Sequence, residues 1–208
     1  MWRKYENRLK KGSFKVMTGT PEGPIIDSAL TDNEAIAQNP QSICPDEIFR
    51  KLKLFFVLYW SFDGLVHKGQ LVMDGRLEAD VKEIFEIMFA KKFPISCVIP
   101  MSHPKINWDE NISMNLNNTT AFTYRTVTFD PSRISYHGYG WAIDINQLLN
   151  PYIKGDIILP PEARYDPSKP GTISLDSFLV KEFKKRGWFW GGDFEGRIDY
   201  QHFERHSV

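Results

Sequence analysis

Apolar residues fall in short blocks along the chain, separated by long polar stretches. The clearest period is helical. Val81, Ile84, Phe85, Met88 and Phe89 lie at i, i+3, i+4, i+7 and i+8, which predicts a helix over about 77–92 with one apolar face. Glu78 and Asp80 sit early in it and Lys91 and Lys92 late, as a helix dipole prefers, and Pro94 ends it. A second helix is predicted over 175–186, with Ser174 as N-cap and Gly187 as the stop. A short one starts at Pro45 and runs to about 54. Apolar runs predict strands over 55–60, 70–73, 95–99, 121–127, 141–145 and 188–191. Short strands interrupted by helices and long loops predict an α+β domain, not a doubly wound sheet. Residues 13–45 read as an extended lead-in wrapping the domain, so the expected division is an extension over 1–50 and a main domain over 51–208. The polar stretch 100–119 is long for a loop inside a compact domain, which makes it a candidate lid.

Composition narrows the function classes. The chain has 208 residues, enough for one buried core without disulfides. Aromatic residues make up 14%, a bulky supply for a core or for aromatic site walls. Twenty-six basic residues balance 26 acidic ones, so the chain lacks the electrostatic footprint of a nucleic-acid binder. Mean hydropathy is −0.37 and no apolar run approaches the ~18 residues of a membrane span. The basic N-terminus, residues 1–12, reads as a solvated arm with no apolar segment behind it, so a secretory signal is not expected in the chain as given. The expected compartment is the bacterial periplasm or envelope if a signal has been removed, and otherwise the cytoplasm or a phage-derived lytic protein. Cys44 and Cys97 lack the spacing of a structural zinc site; they read as two free buried thiols, or as a disulfide in a periplasmic protein.

Candidate chemistry concentrates in two stretches. In the first, Ser135-Tyr136-His137-Gly138-Tyr139-Gly140-Trp141-Ala142-Ile143-Asp144, a histidine and an aspartate are joined by a glycine-rich turn leading into an apolar strand. A carboxylate among Ala142, Ile143 and Ile145 is costly to bury unless paired, and a metal ion is one such partner. In the second, Asp199 and His202 are three apart, which in a helical turn puts both on one side. His202 would complete a His137, Asp144, His202 set, leaving the fourth position of a tetrahedral zinc open for water. Asp199 then stands beside the metal as a proton acceptor, and Arg125 is the candidate partner for an oxyanion. No His-Glu-x-x-His, Gly-x-Ser-x-Gly or P-loop pattern occurs. Tyr136, Tyr139, Trp188 and Trp190 read as packing or hydrogen-bonding neighbours, Glu204 as a group orienting a ligand histidine or a solvated one, and His67, His103 and His206 as non-ligands.

At these residues the chain resembles the zinc D-alanyl-D-alanine carboxypeptidases and dipeptidases of bacterial cell-wall metabolism, a group that includes L-alanyl-D-glutamate endopeptidases. The resemblance covers about residues 55–204. It rests on Phe62-Asp63-Gly64 with His67-Lys68-Gly69, on 117–122 with Tyr124-Arg125, on Ser135-x-His137-x6-Asp144, on Trp190-Gly191-Gly192-Asp193, and on Asp199-x-x-His202-Phe203-Glu204. It departs at Phe194, where tryptophan is common, and at the bulky Trp141 inside the ligand turn. The resemblance implies one zinc ion on His137, Asp144 and His202. It also implies Asp199 as general base and later acid, Arg125 polarising the scissile carbonyl, and Ser135 helping to hold the substrate's terminal carboxylate. The implied fold is a small α+β domain of hedgehog type with an antiparallel sheet and flanking helices. The implied protein is a monomer whose partner is a peptidoglycan stem peptide. The expected activity is D-alanyl-D-alanine carboxypeptidase. The alternative on the same mechanism is L-alanyl-D-glutamate endopeptidase, and the alternative of another class is an inactive binding module on this fold.

Overall fold

The computed structural model describes residues 18–208; the expected N-terminal arm lies outside the described residues. The chain opens with β1 (Ile25–Ile26), α1 (Asp32–Ala35) and α2 (Asp46–Phe49), then forms a long hairpin of β2 (Leu52–Trp60) and β3 (Val66–Asp74). Next come α3 (Glu78–Ala90), β4 (Cys97–Val98), α4 (Glu110–Asn115), β5 (Asn118–Thr119), β6 (Thr126–Val127) and β7 (Asp130–Ile134). A 3-10 turn over Tyr136–Tyr139 leads into β8 (Ala142–Asp144), followed by β9 (Tyr152–Lys154), β10 (Ile157–Leu159) and α5 (Phe178–Lys185). The chain closes with β11 (Phe189–Trp190), β12 (Ile198–Asp199) and β13 (His202–Glu204). The fold is α+β, built from several small sheets. Three of these have three strands, in the orders β1-β3-β2, β10-β9-β12 and β11-β13-β8.

The main core lies between the inner faces of α3 and α5 and the β2–β3 and β8–β13 strands. Val81, Ile84, Phe85 and Met88 of α3 meet Phe55, Val57, Leu71 and Met73 of the hairpin, and Ile143 and Phe203. From α5, Leu179, Val180 and Phe183 join them, with the Phe183 ring stacked on Phe203 at 3.9 Å between centroids. Phe89, predicted on the buried face, is half-buried and stacks on Trp60.

Several boundaries differ from the sequence expectation. β3 begins four residues before the predicted strand because its polar residues are satisfied from inside the fold. Gln70 is fully buried, accepts a hydrogen bond from Leu30 N (2.9 Å) and donates to Leu30 O (2.7 Å). The predicted helix from Pro45 stops at Phe49, because the chain from Leu52 pairs with β3 instead. The second predicted helix starts later, capped by Ser177 and not Ser174: Ser177 Oγ accepts from Val180 N. The 100–119 stretch is not a bare loop. It contains α4, capped by Asp109, and β5, which pairs parallel with β4. Residues 121–125 form no strand; only Thr126–Val127 pair, with β7.

The lead-in packs closely. Ala35 and Cys44 are buried with Leu52, Val72 and Phe122, and β1 runs parallel to β3. Just after β1, Asp27 accepts a hydrogen bond from Nδ1 of the buried His67 (2.9 Å), while Nε2 of the same ring faces Asp63 at 3.0 Å. The Tyr59 hydroxyl also donates to Asp27. Burial opposes a charge on His67, but the hydrogen bonds to Asp27 and Asp63 prevail and raise its pKa above the usual value. Both cysteines are free, Cys44 buried and Cys97 half-buried. No helix among the described residues is long and apolar enough to cross a membrane.

Candidate metal centre and catalytic cavity

The β8–β13 pairing builds the centre. Its antiparallel register sets His202 directly opposite Asp144 and Glu204 opposite Ala142. The flanking bonds, Ile145 N to Gln201 O and Arg205 N to Trp141 O, leave His202–Asp144 as a non-hydrogen-bonded pair, in which Cα atoms approach to about 4.5 Å. Strand alternation turns Ile143 and Phe203 into the core and sends Asp144, His202 and Glu204 to the other face. Asp144 N and O pair with Thr120 on the far side, fixing the strand from both edges.

His137 comes from the 3-10 turn just before β8. Ser135 caps that turn, its Oγ accepting from His137 N. Gly140 ends it at φ 70, a left-handed conformation that favours glycine; a Cβ there would lie 2.7 Å from Asp74 N. The chain therefore doubles back and brings His137 Nε2 to 3.1 Å from both Asp144 Oδ1 and His202 Nδ1, with His202 Nδ1 2.9 Å from the same carboxylate oxygen. All three residues are buried. Asp199 reaches the site differently from the helical turn expected. It lies in β12, and a turn at 200–201 leads to His202 in β13. Gly191 permits this: a Cβ there would meet Asp199 O at 2.4 Å and Asp199 Cβ at 2.7 Å.

The outer partners fix which ring nitrogens are free. His137 Nδ1 faces the Ala121 carbonyl at 2.5 Å; a carbonyl only accepts, so Nδ1 carries the hydrogen and Nε2 offers its lone pair. His202 Nε2 faces Glu204 Oε2 at 2.8 Å, and Glu204 in turn binds His206 Nε2 at 2.8 Å. Burial works against ionisation of Glu204, but His202 and His206 hold it below the usual carboxylate range. Asp144 is likewise opposed by burial and held well below its usual value by the charge and hydrogen bonds of His137 and His202. Two imidazole nitrogens and a carboxylate oxygen thus converge within about one hydrogen-bond length, with outer partners of the kind that orient metal-binding histidines. The donor set fits zinc, whose usual ligands are these groups.

The centre opens on a cavity of about 940 Å³. Ser135, Tyr136, Tyr139, Arg125 and Asp199 line it; Trp188 and Trp190 instead pack in the core. Asp199 is half-buried, and Gln201 Nε2 donates to its Oδ1 at 3.2 Å. Burial, and then the neighbouring Asp144 charge, outweigh the nearby histidines and push its pKa up to about 6. Arg125 Nε lies 2.6 Å from Glu110 Oε1 of α4, but off the N–H direction, so that N–H has no aligned acceptor. Its Nη1 donates to Thr126 O at 3.0 Å.

Comparison with known families adds one finding. Residues 130–205 match the sequence model of a family described as D-alanyl-D-alanine carboxypeptidase. The match supports the family resemblance and a cell-wall peptidase. No curated protein and no solved structure matches the chain. The matched segment holds all three donor residues and Asp199, whereas Arg125 and Glu110 lie before it. Sequence reasoning missed Glu110, Gln201, Tyr152 and Arg197. Gln201 and Arg197 carried a signal, as residues one from His202 and two from Asp199; Glu110 and Tyr152 enter through pairings distant in sequence.

Proposed function

We propose that this protein is a zinc metallopeptidase that cuts peptidoglycan stem peptides next to a D-amino acid, as a D-alanyl-D-alanine carboxypeptidase. The observation that carries the reading is the convergence of His137 Nε2, His202 Nδ1 and Asp144 Oδ1 at about 3 Å, in a cavity whose wall holds Asp199. Zinc on these three atoms supplies a Lewis acid that acidifies water and polarises a carbonyl. Asp199, with one oxygen held by Gln201, accepts the proton of the attacking water and returns it to the leaving amine. Burial and the Asp144 charge raise that carboxyl's pKa above its usual value, which favours its holding the proton before passing it on. Arg125, fastened to α4 through Glu110, provides the fixed positive charge for the developing oxyanion. Ser135, beside His137, offers a hydroxyl to the substrate.

The test combines zinc stoichiometry with mass spectrometry of products from defined stem peptides. Release of terminal D-alanine supports the carboxypeptidase. Cleavage between L-alanine and D-glutamate instead moves the assignment to an endopeptidase. Zinc-loaded protein that turns over neither would be a binding module.

A further inference from the structure

The Asp144 carboxylate offers one oxygen to the centre and holds the other elsewhere. Oδ1 meets both His137 and His202, whereas Oδ2 accepts from one group among the described residues, Gln147 Nε2 at 3.4 Å. A chain of side chains runs on from there. Gln147 Oε1 accepts from Ser113 Oγ at 2.8 Å, and Ser113 Oγ accepts from Asn118 Nδ2 at 3.2 Å. The backbone of Ile99 grips Asn118: its N–H donates to Oδ1 (3.1 Å) and its carbonyl accepts from Nδ2 (2.9 Å). Asp144, Gln147, Ser113 and Asn118 are all buried. Backbone groups have fixed roles, so the direction of the whole chain follows. Ile99 decides which end of the Asn118 amide is nitrogen. That nitrogen gives its second hydrogen to Ser113, which leaves the Ser113 hydroxyl hydrogen for Gln147 Oε1. Gln147 must then turn its NH₂ toward Asp144. The backbone is pinned at the same place. Gln147 N donates to Asn118 O at 3.3 Å, and Asn146 sits in the left-handed region at φ 48, its amide bonded to Pro94 O and Gly171 O. Ser113 belongs to α4, the helix that carries Glu110, and precedes the segment that matches the carboxypeptidase family.

We propose that Gln147 is a positioning residue for the metal centre: oriented by Ser113 and Asn118, its amide holds Asp144 Oδ2 so that Oδ1 alone faces the ion. This rests on the metallopeptidase reading above and names what sets its metal affinity. The torsion that turns an aspartate carboxylate is broad, so one held at a single oxygen can swing. A partner on the outer oxygen stops that swing, and such outer partners are worth roughly 10- to 100-fold in metal affinity. A neutral amide suits the place better than a lysine or arginine would. It orients the carboxylate and leaves its charge for the cation. Ser113 and Asn118 bond to none of His137, Asp144 and His202 among the described residues, so they act through Gln147. The polar 100–119 stretch, a candidate lid by sequence, thus braces the site through α4: Ser113 toward Asp144 and Glu110 toward Arg125.

The experiment measures the zinc dissociation constant by chelator competition on full-length protein, with the Tm of the metal-free form as the check on folding. Gln147→Met, similar in length but without a donor, should weaken zinc binding roughly 10- to 100-fold. Ser113→Ala should weaken it by a smaller factor. Added to Gln147→Met, it should cost no further affinity, because the two residues act as one unit. Independent structural roles would instead make the two losses add, and additive losses overturn the proposal. So does an unchanged zinc affinity in Gln147→Met; with a raised KM that result would make Gln147 a substrate contact instead. If Gln147→Met does not fold, Ser113→Ala carries the affinity, and no loss there overturns the proposal. If wild type binds no zinc, the metallopeptidase reading falls separately. The positioning is then decided by NMR on the metal-free protein. The signal of the His202 Nδ1 proton, which Asp144 Oδ1 accepts, must move in Gln147→Met, and an unmoved signal overturns the proposal.

Discussion

Removing the His137 imidazole deletes one of the three donor atoms that meet at the centre among the described residues, so His137→Ala should abolish stoichiometric zinc binding, as read by metal analysis after dialysis. Among the described residues Asp199 makes no hydrogen bond to His137, Asp144 or His202, so Asp199→Asn should keep zinc and lower kcat by roughly 10²- to 10⁴-fold. Wild-type turnover in that variant would refute its role as base. The sign of the pH effect follows from its raised pKa of about 6. Below that value the carboxyl is protonated and cannot take a proton from water, so kcat/KM should fall about tenfold per unit on the acid side. Bound zinc favours the carboxylate and moves this limb to lower pH, never higher. At His202 burial opposes the charged form, but Asp144 and Glu204 raise the pKa to about 10. At neutral pH that ring therefore holds a proton on Nδ1 which a metal must displace. Zinc binding at pH 7 should release about one proton from this ring, measured by calorimetry in buffers of different ionisation enthalpy; uptake or no change would contradict this protonation state.

At the scale of elements, close approaches carry the site. Gly191→Ala would push a methyl into the Asp199 backbone and so displace β12. Overpacking of this kind costs about 1–3 kcal/mol, and Tm should fall together with turnover. An unchanged melt would show that β12 can shift at no cost. The Asp27–His67–Asp63 clamp ties β1 to β3 and should make stability pH-dependent. His67 has a folded pKa above its unfolded value, so its contribution is fully present below the unfolded pKa and is lost as pH rises through the folded one. His67→Gln should therefore destabilise by ~1–3 kcal/mol at pH 5.5 and by less at pH 9, measured by urea unfolding. These elements also show what the sequence discloses. α3 was legible because its apolar stripe repeats at the helical period and buries one face. The meeting of His137, Asp144 and His202 was legible because they sit in short motifs with their own turn chemistry. β3 was only half legible, since His67 and Gln70 look exposed until Asp27 and Leu30 arrive from 40 residues away. Tyr152 was invisible for the same reason: only the pairing of β12 with β9 sets it opposite Asp199, and no local pattern announces it.

For the whole molecule, the centre joins parts of the chain that are distant in sequence. His137 and Asp144 belong to one turn and strand, while His202 arrives 58 residues after Asp144. The surrounding wall extends further, to Met101 and Glu110, outside the segment that matches the carboxypeptidase family. A cation gripping all three side chains binds the folded chain and not the unfolded one, so its affinity adds to global stability. At a free zinc concentration a thousand times Kd the gain is about 4 kcal/mol. In a domain of this size each kcal/mol moves Tm by roughly 2–4 °C. A chelator should therefore lower the Tm of the wild type by roughly 8–16 °C, and restored zinc should recover it. His137→Ala should melt near the chelated wild type and respond to neither treatment, whereas Asp199→Asn should respond to both. That contrast separates the residues proposed to hold the ion from the one proposed to move the proton, without reference to any substrate. A wild type whose melt ignores chelation would mean that the three side chains meet for some reason other than a metal.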